Sequence, residues 1–404
     1  MISVAEARQR ILDSLSPLAP EQVPVVDGLG RVLAIPVAAR RTQPPKAVSA
    51  MDGYAVRAAD IPGVPTVLNV VATIAAGTAL ENVIGPGQAA RIFTGAPLPP
   101  GADTIVIQED TLRDGDRVTV TEAPRAGQYV RAAGLDFREG DVLLHPGQRL
   151  GVRDVALAAG MNHPWLTVHR RPRVAILATG DEIVMPGEPI GPNQIVSSNS
   201  IALASAVRCF GGEPILLGVA PDERGALRAM AQGAEGADIL VTSGGASVGD
   251  HDLVQSVLGE VGLEVDFWKI AMRPGKPLIY GHIGRTAMLG LPGNPVSTLV
   301  CSLLFLGPAI AKLSGLADPL PARSFAILGR DLPENDGRED YLRATLDIGP
   351  DGTPTATPFD KQDSSMLATL QRAQCLVIRP IRAPAARAGD HTEILPFPSA
   401  SMGF

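Results

Sequence analysis

Arg173-Val174-Ala175-Ile176-Leu177-Ala178-Thr179-Gly180-Asp181-Glu182 begins as a nearly unbroken apolar run and ends on a hydroxyl, a glycine and two acids. A strand covered on both faces reads this way, because none of its positions turns to water. Downstream, helix-like and strand-like stretches alternate. A helix is expected from about Ser200 to Phe210, stopping at Gly211-Gly212, then a strand over Pro214 to Ala220 and a helix over Glu223 to Gln232. A strand at Asp238 to Thr242 and a helix at Leu253 to Val261 follow. Val265 to Ile270, Leu278 to Tyr280 and Ala287 to Leu289 read as strands, and Pro295 to Leu313 as a long helix. This alternation predicts an α/β domain with a mostly parallel sheet and helices on both faces.

The flanks read differently. Ser3 and Glu6 have capping-box spacing and start a helix through about Leu15. From there to about Leu144 the chain is punctuated by Pro44-Pro45, Pro62-Gly63, Gly85-Pro86-Gly87 and Pro99-Pro100-Gly101. The hairpin signal Asp114-Gly115 sits between the strand-like stretches Thr104 to Ile107 and Val118 to Val120, so this part is β-rich. Val152 to Gly160 reads as a short helix. After Leu320-Pro321, the stretches Ser324 to Leu328, Tyr341 to Leu346, Cys375 to Ile378 and Glu393 to Leu395 are short and strand-like. One helix near Ser365 to Ala373 interrupts them. The expected division is a linking segment of 1–40 plus 142–171, a β-rich inserted domain over 41–141, the α/β domain over 172–321 and a small β-rich C-terminal domain over 322–404.

The 404 residues carry a net charge of −7 and only 4% aromatic side chains, which argues against a nucleic-acid binder relying on phosphate contacts or base stacking. Cys209, Cys301 and Cys375 are far apart and suit small buried residues better than a zinc site. Glu6, Arg8, Arg10 and Asp13 interrupt any apolar leader, and Val296 to Leu306 reads as too short for a membrane span. A cytoplasmic protein without membrane contact is expected.

Ligands of open α/β sheets bind outside the carboxyl ends of the strands. Three such ends carry unusual loops: Thr179-Gly180-Asp181-Glu182, Ser243-Gly244-Gly245-Ala246-Ser247-Val248-Gly249-Asp250, and Leu291-Pro292-Gly293-Asn294-Pro295. Glycines let backbone N–H groups approach an anion, and Asn294 can cap the helix behind it. Any one loop would be a tight connection; three at one sheet edge point to a ligand site. Gly275-Lys276 is followed by Pro277, so no P-loop is present, and no G-x-G-x-x-G follows the first strand. Arg273 and Lys276, in a turn stiffened by Pro274 and Pro277, suit fixed charges against phosphate or oxyanion groups.

Together with Pro274-Gly275-Lys276-Pro277, these loops resemble the molybdopterin-binding domain of molybdopterin molybdenumtransferases, the E domain of gephyrin, molybdopterin adenylyltransferases and competence-damage-type proteins. Ser49-Ala50-Met51-Asp52-Gly53-Tyr54-Ala55, the run Thr94 to Asp103 with Gln108-Glu109, and Gln362 to Leu367 are similar to signatures of the molybdenumtransferases. One departure is Gly134-Leu135-Asp136, where that family usually has Gly-Glu-Asp.

The resemblance implies a Mg²⁺-dependent transferase. It would convert adenylylated molybdopterin and molybdate into molybdenum cofactor, releasing AMP. By the same resemblance, Asp52, Thr94, Asp136, Glu182, Asp222 and Asp250 are the catalytic candidates, with Glu182, Asp222 and Asp250 around the metal. Asp222 equally suits a helix cap. The ligand-contact candidates are Thr179, Gly180, Ser243, Gly244, Gly245, Ser247, Gly249, Arg273, Lys276, Pro292, Gly293, Asn294 and Pro295, with Arg343 and Ser365 from the C-terminal domain. A homodimer is implied, with Asp52 and Thr94 of one copy facing Glu182 and Ser247 of the other and 1–40 plus 142–171 in the dimerisation segment. A molybdopterin adenylyltransferase would act upstream. The competing expectations are a receptor-clustering scaffold like gephyrin, another nucleotide-processing enzyme on the same domain, and tungstate in place of molybdate.

Overall fold

Ser3 accepts a hydrogen bond from the Glu6 amide at 3.1 Å and starts helix α1 (Val4–Asp13), which buries Val4, Ala7 and Ile11. In the computed structural model, residues 1–78, 82–244 and 253–397 are described. The chain folds into two compact units. One comprises Met1–Ile35, Pro146–Val155 and Trp165–Phe404, the other Pro36–His145 and Ala156–Pro164.

The smaller unit is built on a six-stranded sheet. Its strands are β1 (Gly53–Val56), β2 (Thr66–Ile74), β3 (Gln88–Ile92), β4 (Thr104–Ile107), β5 (Thr111–Asp114) and β6 (Arg117–Val120), in the order β4-β1-β3-β2-β6-β5. Side chains alternate between faces along a strand. Tyr54, Val56 and Val106 pack in one cluster, and Ala55, Ile105 and Ile92 in another. Both faces are therefore covered. The Asp114-Gly115 turn does close a hairpin, with Gly115 at φ +56°, but its first arm is β5 and not Thr104–Ile107. The latter is the opposite edge of the sheet. Exposed, charged β5 lacks the apolar alternation by which a strand is read.

In the larger unit, the α/β part holds β7 (Arg173–Thr179), α2 (Asn199–Phe210), β8 (Glu213–Ala220), α3 (Arg224–Gln232), β9 (Ile239–Ser243), α4 (Leu253–Glu260), β10 (Leu263–Trp268), the short β11 (Met272–Arg273), β12 (Ile279–Ile283), β13 (Thr286–Leu291) and α5 (Pro295–Leu313). The main sheet runs β8-β7-β9-β13-β12-β10, with β12 antiparallel to both neighbours. Val174 and Ile176 pack on one face with α1, α2 and α5. Ala175 and Leu177 pack on the other with α3 and α4. The apolar run at Arg173 is thus a central strand sandwiched by helices. From β7 the chain passes to β8 on one side and then returns to β9 on the other. The topological switch point therefore lies between the carboxyl ends of β7 and β9.

Helix α5 is 19 residues long, with mean hydropathy 1.8, which by length and composition alone would cross a membrane. The expected shortfall from a span does not hold. Its apolar window is 83% buried, against α1, α2 and the sheet, as in a core helix. A π-helical turn, Ser302–Leu306, interrupts it.

The C-terminal part has β14 (Ser324–Leu328), β15 (Glu339–Ile348), β16 (Pro354–Pro358), α6 (Leu367–Arg372), β17 (Cys375–Arg379) and β18 (His391–Pro396). Their order is β15-β16-β14-β18-β17, and β15 also pairs with β17, which closes a barrel around Ala326, Ala344, Ala356, Val377 and Ile394. β11 adds to its outside, pairing Met272 with Glu339 and Arg273 with Asp340.

Candidate functional site

The three loop-bearing strand ends converge on one cavity of about 590 Å³. Of the residues expected at a ligand, Thr179, Glu182, Ser243, Gly244, Pro292, Gly293, Asn294, Pro295 and Ser365 line it. Thr179 ends β7 and is only 5% exposed. Gly244 follows β9 at φ +93°, and a Cβ there would sit 2.8 Å from the Thr179 carbonyl oxygen. Only glycine fits that conformation and that approach. The same backbone passes Gly293 closely, since a Cβ on Gly293 would lie 3.7 Å from the Gly244 Cα.

Asn199, the first residue of α2, binds these loops together. Its Nδ2 donates to Ser243 Oγ at 2.9 Å and to the Gly293 carbonyl at 2.7 Å. No sequence reading singled it out. A polar Ser197-Ser198-Asn199-Ser200 cluster at the start of the apolar helix that follows the first strand was the available signal.

Asn294 occupies the N-cap position of α5 with extended backbone, φ −66° and ψ 128°, but its side chain makes no cap bond. Its Nδ2 donates to Ser364 Oγ at 2.9 Å, and the Val296 amide donates to the Ser364 carbonyl at 3.1 Å. The C-terminal segment thus takes the role expected of Asn294. Ser365, beside it, donates from both its amide and its hydroxyl to Asp363 Oδ1, at 2.8 and 2.6 Å. These bonds hold the Asp363 carboxyl below its usual range.

Acids collect at the ends of β7 and β8. Gly180 has φ +133°, and a Cβ there would lie 2.6 Å from Glu182 Oε2, so the Glu182 carboxylate folds back over this glycine. The Asp222 amide donates to Asp181 Oδ1 at 3.0 Å. Burial, followed by the negative charges of Asp181 and Glu182, pushes the Asp222 carboxyl up. Asp222 is not the cap of α3, whose N-cap position is Glu223. Among the described residues, no three histidine, cysteine or acidic side chains gather closely enough to hold a metal by themselves. Gly245, Ser247, Gly249 and Asp250 lie outside the described residues.

Three family models match along the chain in order. They are the MoeA N-terminal region (domain I and II) over residues 2–161, the probable molybdopterin binding domain over 175–312, and the MoeA C-terminal region (domain IV) over 326–397. The molybdopterin molybdenumtransferase of Nostoc sp. is 38% identical over 378 residues, covering 91% of this chain and 87% of that protein. That of Haemophilus influenzae is 33% identical and covers 98% of this chain and 99% of its own. The chain belongs to the molybdopterin molybdenumtransferase family. A crystal structure of the molybdopterin biosynthesis MoeA protein from Pyrococcus horikoshii agrees, with TM-score 0.84 and 32% identity over 99% of this chain and 100% of that one. Membership makes the chain a transferase of molybdenum cofactor biosynthesis.

In the larger unit, Arg273, Lys276 and Arg343 do not line the cavity. Arg273 lines a separate space of about 370 Å³. Its guanidinium grips Asp340 through Nε at 2.8 Å and through Nη2, and reaches Asp336 at 3.2 Å. That charge is spent on the barrel. Lys276 is exposed, makes no ion pair among the described residues, and precedes Pro277 of the cavity wall. Arg343 is not a solvated strand arginine: it is 1% exposed. Its amide and Nε donate to Gln362 Oε1 at 3.0 and 3.1 Å, and Nη1 donates to the Met366 carbonyl at 3.4 Å. It braces the segment leading to Ser365.

Within the smaller unit, the Thr94 amide and hydroxyl both donate to Asp52 Oδ1, each at 2.7 Å. These two bonds, with a smaller contribution from the Arg91 charge, hold the Asp52 carboxyl below its usual range. Asp136 lines a cavity of about 770 Å³ with Arg41, Lys46 and Arg131.

Proposed function

We propose that the chain inserts molybdenum from molybdate into the dithiolene of adenylylated molybdopterin, with release of AMP, as a cytoplasmic enzyme. The observation that carries this reading is the switch-point cavity. It gathers hydroxyls, tight glycine backbone and an acid at one place, and its family supplies the substrate class. The cavity is large enough for a substantial part of such a ligand.

Magnesium suits the acidic end. Asp222, pushed up first by burial and then by the charges of Asp181 and Glu182, shares with them negative charge that a divalent cation would neutralise. Magnesium keeps several waters and takes a few carboxylates plus substrate phosphates, so a closed protein cage is not needed. When bound, it would offset charge on the phosphoanhydride. Glu182 and Asp222, with Asp250, would hold it. Thr179, Gly180, Ser243 and Gly244, with Gly245, Ser247 and Gly249, would carry the ligand's polar groups, and Pro292 to Pro295 would wall it. Lys276 and Ser365 would meet the oxyanion, with Arg343 as the brace behind them and Arg273 as the brace of the barrel.

Asp52, Thr94 and Asp136 are assigned to the same reaction through a homodimer, Asp52 and Thr94 of one copy completing the site that contains Glu182 of the other. The four-segment division at 1–40 plus 142–171, 41–141, 172–321 and 322–404 is retained, with the first segment carrying the dimer contact. A molybdopterin adenylyltransferase would supply the substrate. AMP release from adenylylated molybdopterin with Mg²⁺, with and without molybdate, tests the reading. Molybdate-stimulated release with metal-loaded pterin supports it. Pterin binding with no molybdate-dependent turnover overturns it in favour of a scaffold.

A further inference from the structure

The cavity at the switch point has two kinds of wall. One is polar, formed by Thr179, Ser243, Gly244 and Gly293; the other is apolar, formed by Ile183, Ile195 and Val196. Ile183–Val184 pairs in parallel with Ile195–Val196, so this apolar wall is a small two-stranded flap between β7 and α2. Ile195 is 58% exposed although it faces a cavity otherwise tied by hydrogen bonds. An exposed apolar surface beside a polar cavity suits a flat ring that is apolar on its faces and polar at its edge.

Asn199 stands in the same cavity, and chemistry fixes the orientation of its amide. The Gly293 carbonyl can only accept, so the atom 2.7 Å from it must be the NH₂ group. The same NH₂ also serves Ser243. Both of its hydrogens are therefore used, and Oδ1 is left as an acceptor with no partner among the described residues. Such a group cannot donate to a phosphate. It can receive an N–H.

We infer that Asn199 is a specificity-determining residue of this cavity, and that its Oδ1 receives an N–H from an amino-substituted heteroaromatic ring laid against Ile195 and Val196. This rests on the proposed function, whose substrate carries two rings of that chemistry, a pterin and an adenine. The polar loops across the cavity then take the phosphates.

The test is equilibrium binding of molybdopterin alone and of AMP alone to the full chain and to Asn199→Ala. Losing one hydrogen bond and its tether should weaken one of the two ligands by about tenfold, and which one weakens identifies the ring. Ile195→Ser, at an exposed position, should weaken the same ligand by about threefold and keeps the test open if Asn199→Ala fails to fold. Unchanged affinity for both ligands in both variants overturns the inference. So does an equal loss of both, which would mark Asn199 as a loop tie only. Wild-type protein that binds neither ligand overturns the proposed function instead.

Discussion

The acids at the ends of β7 and β8 and the acid at Asp52 are handled in opposite ways. The Asp222 carboxyl is pushed up first by burial and then by the negative charges of Asp181 and Glu182 beside it. Asp52 lies beside two donors of Thr94, and its carboxyl is pulled down. The first region concentrates negative charge that nothing among the described residues cancels. The second fixes one carboxylate in its ionised form and in one orientation. Residue type alone does not separate these roles; burial and nearby charge at Asp222, and hydrogen-bond donors at Asp52, do.

The sharpest way to break this contrast is to remove one acid from each region. Glu182→Ala and Asp52→Asn are each expected to lower molybdate-dependent AMP release by about a hundredfold or more, with far-ultraviolet circular dichroism unchanged. A variant of either kind that turns over normally removes that acid from the chemistry. Mixing the two variants should restore part of the activity if each copy supplies one of the acids. No recovery despite subunit exchange would show that they act from the same copy.

Second in size is the backbone of the cavity. Gly244→Ala places a Cβ 2.8 Å from the Thr179 carbonyl oxygen at φ +93°. The strain is expected to cost about 1–3 kcal/mol, visible as a lower denaturant midpoint together with weaker pterin binding. Unaltered stability would mean that the loop after β9 moves freely, and that the rigidity attributed to this region is wrong.

The α/β core and the three strand ends that converge on the cavity were legible because buried parallel strands leave long apolar runs whose ends are easily found. Thr179, Ser243 and Leu291 end their strands where the apolar runs stop. What the sequence hid was pairing. Thr111–Asp114 is a strand only because Arg117–Val120 lies beside it. Arg343 is buried only because Gln362 and the Met366 carbonyl meet it inside the fold. Arg273 looked like a cation awaiting an anion, but Asp340, 67 positions away, already holds it. Asn199 was missed because one asparagine at a helix start ordinarily reads as a cap. Arg343, Arg273 and Asn199 depend on partners distant in the chain, which spacing along it does not reveal, whereas Thr111–Asp114 was hidden by its exposed, charged residues although its partner is local.

A smaller effect is expected at Asp52. The Thr94 amide is the first cause of its lowered titration and the hydroxyl the second. Thr94→Val removes only the hydroxyl, so the titration should move up toward, but not reach, the ordinary value. An ionised Asp52 contributes stability present above its unfolded pKa and lost as pH falls through the folded one, so the variant should lose that stability at a higher pH. Carbon-detected NMR of the side-chain carboxyl would follow the shift. An unmoved midpoint would show that the amide alone controls this acid.

The smallest effect separates the two regions most directly. Asp222 has the opposite sign: its folded carboxyl is raised, so its ionised form opposes folding above the unfolded pKa, and the opposition fades as pH falls through the folded value. Asp222→Asn should therefore raise the melting temperature slightly near neutral pH and leave it unchanged at a pH below the unfolded value. Added Mg²⁺ should raise the melting temperature of the wild type more than that of Asp222→Asn, because part of the charge it would neutralise is already gone. An equal response of both proteins to Mg²⁺ would mean that the crowded acids do not form the cation site. Their repulsion would then be a cost of the fold with no ligand to relieve it, and the contrast with Asp52 would be one of packing and not of function.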